Sequence, residues 1–161
     1  MNIFVLDRDP VEAAKMHCDK HMKLLLEAAQ MLSIAHNETG SKGPYKGGTW
    51  KHHPCSKWVC QSIDNYRWLV KLGLALCVEY TLRYGRIHKT EQHLVWLSDN
   101  EPNLPKVPMT PFYQGMPDDV KNKDAVQAYR NYYLKYKSHF AKWVKGRSAP
   151  YWYTISLPEN P

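Results

Sequence analysis

Asp9-Pro10-Val11-Glu12-Ala13-Ala14-Lys15-Met16-His17-Cys18-Asp19-Lys20-His21-Met22-Lys23-Leu24-Leu25-Leu26-Glu27-Ala28-Ala29-Gln30-Met31-Leu32-Ser33-Ile34-Ala35 is the stretch on which the fold turns. Asp9 can cap a helix, Pro10 suits its first position, and Glu12 stands at the capping-box offset. The spacing predicts one long helix to about Ile34 or Ala35, where Asn37-Glu38-Thr39-Gly40 supplies stop residues. On a helical wheel Ala14, His17, His21, Leu24, Ala28, Met31 and Ala35 form a stripe that must face the core. Two imidazoles interrupt this apolar face, and Lys20 and Glu27 flank it. Either histidine alone reads as a satisfied core residue. Both together, beside an ammonium and a carboxylate, read as a pocket of the kind in which pKa values are perturbed, so His17, Lys20, His21 and Glu27 are the candidate catalytic residues.

The rest of the chain repeats the helical pattern. Asn2-Ile3-Phe4-Val5-Leu6 is a short extended apolar segment. Residues 37–53 form a loop rich in Gly, Lys and aromatics, including Lys42, Tyr45, Lys46, Trp50 and Lys51. It reads either as a plain solvated connection or as a basic, aromatic segment able to follow a phosphate backbone and stack bases. From Pro54, the residues Trp58, Val59, Ser62, Tyr66, Leu69, Leu72, Leu76, Tyr80 and Tyr84 keep a helical period until Gly85. Gly73 within that run marks close packing or a break, so one short and one long helix fit the pattern. A weaker helix is expected over about Glu91 to Leu97, then a proline-punctuated stretch from Pro102 to Pro117. Asp124 and Gln127 open a last helix with Val126, Tyr129, Tyr133, Tyr136, Phe140 and Trp143 on one face, closed by Gly146. With no β alternation, the expected fold is all-α: a single compact helical domain over 1–161, with three or four main helices, long connecting loops and an extended N-terminal segment.

Composition limits the function. Apolar residues make up 43% and aromatics 12% of 161 residues, enough for a packed core. A formal charge of +7 favours polyanionic partners, DNA or nucleotides, although no long Lys/Arg run distinguishes this from a merely basic surface. Cys18, Cys55, Cys60 and Cys77 read as reduced cytosolic thiols. Ile3-Phe4-Val5-Leu6 is too short for a signal core and no run approaches the ~20 apolar residues of a span, so no membrane partner and a cytoplasmic location are expected.

Other constellations are weaker. His17 and His21 have the i, i+4 spacing of a metal-binding helix, and His52, His53, Cys55 and Cys60 are available as further ligands. The glutamate of a zincin helix and a Cys-x-x-Cys pair are both missing, so no metal and no cofactor are expected. His52-His53-Pro54 opens a helix, where a histidine can cap or meet a phosphate. Glu79 and Arg83 are placed for an i, i+4 ion pair.

Four blocks together carry a family likeness: the short apolar N-terminus; the first helix with His17; His53 through Tyr66 to Glu79-Tyr80-x-x-Arg83-Tyr84-Gly85; and Arg147-Ser148-Ala149-Pro150-Tyr151-Trp152-Tyr153. In these the chain resembles the small, all-helical pyrimidine-dimer DNA glycosylases of the phage endonuclease V type. Its His17-Cys18-Asp19-Lys20-His21 opening also looks like small phage proteins of unknown function. The resemblance implies attack on the sugar carbon by an α-amine exposed after Met removal, aided by a glutamate on the first helix, with C-terminal aromatics against DNA. His17 would match the family's helix-one histidine. Two positions depart from the pattern. Asn2 is too large for ordinary Met removal, so Met1 is expected to stay and the usual nucleophile to be missing, with Lys20 as a replacement Schiff-base amine. Lys23 and Leu24 stand near the family glutamate, and Glu27 lies one turn further on. The expected substrate-binding residues are Tyr45, Lys46, Trp50, His53, Arg83, Arg147, Tyr151 and Trp152. Three activities fit: an N-glycosylase/lyase-like enzyme on DNA or nucleotides with Glu27 or a histidine as acid/base; a non-catalytic binder or sequestering protein for the same ligands; and a metal-assisted nucleotide hydrolase with His17 and His21 as ligands. For a phage-encoded protein the cytoplasm would be the host's.

Overall fold

The helix expected from Asp9 to Ala35 is broken in its middle. In the computed structural model, which describes residues 1–155, α1 (Pro10–Met16) is followed by extended backbone at His17, a 3-10 turn over Asp19–Lys23, and then α2 (Leu24–Asn37). The cause lies in α4 (Ile63–Tyr84), whose Arg83 has a wholly buried side chain. Its guanidinium donates to the carbonyls of Lys15 (2.9 Å) and His17 (2.6 Å), and also to Asp19 (3.2 Å) and Glu79 (3.0 Å). In an unbroken helix those two carbonyls would accept from the amides of Asp19 and His21. Here the Asp19 amide donates to Lys142 and the His21 amide to Cys18. A buried guanidinium must be satisfied, and it takes the acceptors that a continuous helix needs.

The last expected helix is also interrupted. After α3 (Pro54–Cys60), α4 and α5 (Glu91–Asp99), α6 (Ala125–Tyr132) passes into a π turn over Tyr133–Lys137 and ends well short of Gly146. Residues 142–144 instead run alongside the first break: the Lys142 carbonyl accepts from Asp19, and the Val144 amide donates to the Asp19 carboxylate at 2.9 Å. A short α7 (Tyr151–Thr154) follows. The described residues therefore hold seven α-helices and no strand, which corrects the expected three or four.

Both capping boxes form only by half. The Asp9 and Asp124 carboxylates cap the amides of Val11 and Val126. Glu12 turns away to Lys15, and Gln127 to Asn131, while Asp7 and Asn122 take the cap residues' own amides.

α4 is the central helix, with α1, α2, α3 and α5 packed along it. Its N-terminus is set by Ser62, which caps Asp64 and separates α4 from α3. Gly73 marks close packing: a Cβ there would stand 2.8 Å from Leu94 and 3.6 Å from Ala28. Gly85 ends the helix in the left-handed region at φ 70°. Ile3–Leu6 is buried, and Phe4 stacks among His21, Tyr129, Tyr132 and Tyr133. The loop after α2 is pinned rather than loose. Ser33 accepts from the Tyr45 amide, Asn37 donates to the Tyr45 carbonyl, and a 3-10 turn over Gly48–His52 leads into α3. All four cysteines are free.

Candidate active site

The four candidate catalytic residues do not share one site surface. His17 is fully buried, and its Nδ1–H donates to the Ala13 carbonyl at 2.6 Å, leaving Nε2 without a partner. Burial pulls its pKa down to about 4, the Ala13 bond opposing. His21 Nδ1 meets the Tyr133 hydroxyl at 2.6 Å, and burial, reinforced by His17, pulls its pKa to about 3. Both are neutral imidazoles beside Phe4, and His21 also lies against Tyr133 and Phe140. Among the described residues no group of three or more His, Cys, Asp or Glu side chains converges as metal ligands would. Lys20 is exposed, its ammonium 4.6 Å above the Phe140 ring. The burial that the wheel assigned to its stripe holds from Ala14 to Ala35, and His17 and His21 stay neighbours with ring centroids 6.4 Å apart; Lys20 and Glu27 do not join them, one lying in solvent and the other beside the N-terminus.

Glu27, on α2, faces the N-terminus. The α-amine of Met1 lies 3.9 Å from Glu27 Oε2, a buried oxygen with no hydrogen-bond partner. The Met1 side chain is only 1% exposed while the residue as a whole is half-buried, so its exposed surface lies on the backbone. Asn2 anchors this end of the chain. Its Nδ2 donates to the Gly115 carbonyl (2.7 Å), and its Oδ1 accepts from the Ile3 amide (2.8 Å), the Tyr129 hydroxyl (3.3 Å) and the Cys55 thiol (3.5 Å). Sequence pattern does not bring Met1, Asn2, Cys55 and Tyr129 together, since they come from three distant segments. The nearest signal was the apolar run Ile3–Leu6, which had to be buried and so draws residue 1 inward.

His53 stands beside this cluster as the N-cap of α3, with Nδ1 accepting from the Cys55 amide at 3.1 Å. Burial lowers its pKa, helped by the N-terminal charge and opposed by Glu27. Burial pushes the Cys55 thiol up to about 11, so it is not a thiolate. Trp50 packs its ring 5.9 Å from His53 and is 45% exposed, and Lys46 and Lys51 are exposed on the same segment.

The other expected binding residues lie elsewhere. Tyr45 is tied to the structure, its hydroxyl 3.1 Å from Thr90. Arg83 is committed to the interior partners described above. Arg147 grips Glu79 with two bonds of 2.9 Å. Burial alone would raise the Glu79 pKa, but the bonds from Arg147 and Arg83 outweigh it and hold the carboxyl below its usual range. Tyr151 is exposed, whereas Trp152 is buried and stacked 6.0 Å from Tyr133. A groove of about 380 Å³ between α1 and α4 is walled by Val11, Lys15, Leu74, Val78, Glu79 and Arg147, and none of His17, Lys20, His21 or Glu27 lines it.

The family model for pyrimidine dimer DNA glycosylases matches residues 1–92, more than half of the chain, and defines a glycosylase-like protein that acts on DNA. The chain belongs to the pyrimidine dimer DNA glycosylase family. The match spans α1 to α4 and so includes Met1, Glu27 and His53. Neither curated proteins nor solved structures give a match. Among the described residues no helix is long and apolar enough to cross a membrane.

Proposed function

We propose that this protein is a DNA N-glycosylase with lyase activity at damaged pyrimidines, in which the α-amine of Met1 is the nucleophile and Glu27 the general acid/base. The observation that carries this reading is the 3.9 Å approach of that amine to Glu27 Oε2, an acceptor with no other partner. At 3.9 Å the pair lies just beyond a hydrogen bond, so a small shift of the amine brings its proton to the carboxylate. The neutral amine forms a bond to C1′ as the glycosidic C1′–N bond breaks, its electron pair going to the departing base, which takes a proton from solvent. Glu27 takes the proton lost by the amine. Glu27 returns that proton to O4′ as the C1′–O4′ bond opens, which leaves a protonated C1′ imine and restores the carboxylate. Removal of a C2′ proton by the same carboxylate expels the 3′ phosphate. Met1 takes the place that Lys20 was expected to fill: the Met1 amine has the carboxylate beside it, whereas the Lys20 ammonium sits in solvent over Phe140. Exposed Lys46, Trp50 and Lys51 can hold the phosphate strand and stack a base, which favours DNA over a free nucleotide.

Borohydride reduction of the imine tests this. Duplex DNA with one thymine dimer, and a second duplex with one abasic site, should each become covalently attached to the protein, with the adduct mapping to Met1. Glu27→Gln should slow attachment by about 10²-fold or more, the usual scale for a general acid/base. An adduct on Lys20, or none on either duplex, overturns the assignment. Attachment to the abasic duplex alone would keep the lyase and remove the glycosylase.

A further inference from the structure

Histidine is an unusual choice for the N-cap of α3. Asn, Asp, Ser and Thr perform that task better, and an Asn would offer the Cys55 amide an oxygen where His53 offers Nδ1. The cap therefore explains one nitrogen of the ring and leaves the other over. Because Nδ1 accepts from a backbone amide, the ring proton resides on Nε2, and the free edge of His53 is a fixed donor. The ring is half-buried, wedged between exposed Trp50 and the segment that holds the N-terminus: Cys55 carries the capped amide, and its thiol meets Asn2, the residue next to the amine.

We infer that His53 is a substrate-binding residue of this site, whose Nε2–H donates to a phosphate oxygen of the DNA strand being attacked and so sets the sugar beside the Met1 amine. The inference rests on the function proposed above and adds to it a residue that neither attacks nor transfers a proton. The low pKa of the ring is consistent with this role, since a neutral imidazole keeps Nδ1 available as the cap acceptor while Nε2 donates. A protonated ring would have to give up the cap. Backbone and side-chain donors of this kind fix the register of a nucleic acid without reading its sequence.

Two variants separate the two nitrogens. His53→Asn keeps an acceptor where Nδ1 stands and removes the Nε2 donor. His53→Gln carries an amide donor toward the Nε2 position and weakens the cap. For a duplex with one abasic site, His53→Asn should melt within a few degrees of the wild type yet need at least tenfold more DNA for half-maximal borohydride attachment. His53→Gln should melt lower while keeping, per folded molecule, a half-maximal concentration within about threefold of the wild type. If His53→Asn attaches DNA as the wild type does, or if both variants lose attachment only in proportion to the unfolded fraction, the inference fails and the Met1–Glu27 mechanism stands. If the wild type forms no adduct, the mechanism fails and the inference with it.

Discussion

At the scale of single residues, burial outweighs identity. His17 and His21 looked like chemistry because imidazoles on an apolar stripe are uncommon, and the structure gives each a local partner inside the aromatic core. Neutral burial carries a pH signature. An unfolded histidine titrates near 6.5, while these two titrate at about 4 and about 3 in the folded chain. Between those values the unfolded state binds more protons, so their stabilisation is complete above about pH 6.5 and declines as pH falls toward the folded pKa values. The melting temperature should therefore drop between pH 7 and pH 5, a window in which Glu79 stays mostly ionised in both states. His17→Leu should melt with a shallower dependence. Equal melting temperatures for the wild type at pH 7 and pH 5 would contradict neutral burial. Glu27 shows the opposite lesson: in sequence it was the least distinctive of the four candidates, and it is the one that faces a reactive group.

Among elements, the boundaries that sequence read well are those set by local chemistry. Asp9, Pro10, Gly85 and Asp124 mark helix ends because caps and left-handed glycines act within a few residues; the cap at Ser62 falls inside the expected helical run. The break at His17 has no local cause; it follows from Arg83, which acts across 64 positions or more. The 38–53 loop, legible only as basic and aromatic, is fixed by a contact that pattern cannot display. A Cβ on Gly43 would lie 2.6 Å from the Ser33 Cα and 2.8 Å from its carbonyl oxygen, both backbone atoms of α2. Gly43→Ala should accordingly force the loop off α2 and lower stability by about 1–3 kcal/mol, the usual cost of overpacking, while DNA attachment falls further than the loss of folded protein explains because Trp50 and His53 move with the loop. Unchanged melting and activity would mean that the loop does not position the site.

For the whole molecule, charge and fold act together on one partner. DNA affinity should fall steeply between 50 and 200 mM salt, with a log–log slope of about −0.9 for each phosphate neutralised. Titrations at four salt concentrations measure it, and a flat response would mean that the +7 charge is not directed at a phosphate backbone. The sequence alone determined the helical class, the basic character, the family likeness and most of the buried stripe, because helical periodicity, composition and capping are properties of neighbouring residues. Only the tertiary structure decided that the first helix is two, that Arg83 and Arg147 converge on Glu79, and that Met1, Glu27 and His53 lie near one another. Those facts depend on which carbonyls a buried guanidinium takes and where a buried N-terminal segment comes to rest, and both are settled by long-range satisfaction of polar groups in a packed core.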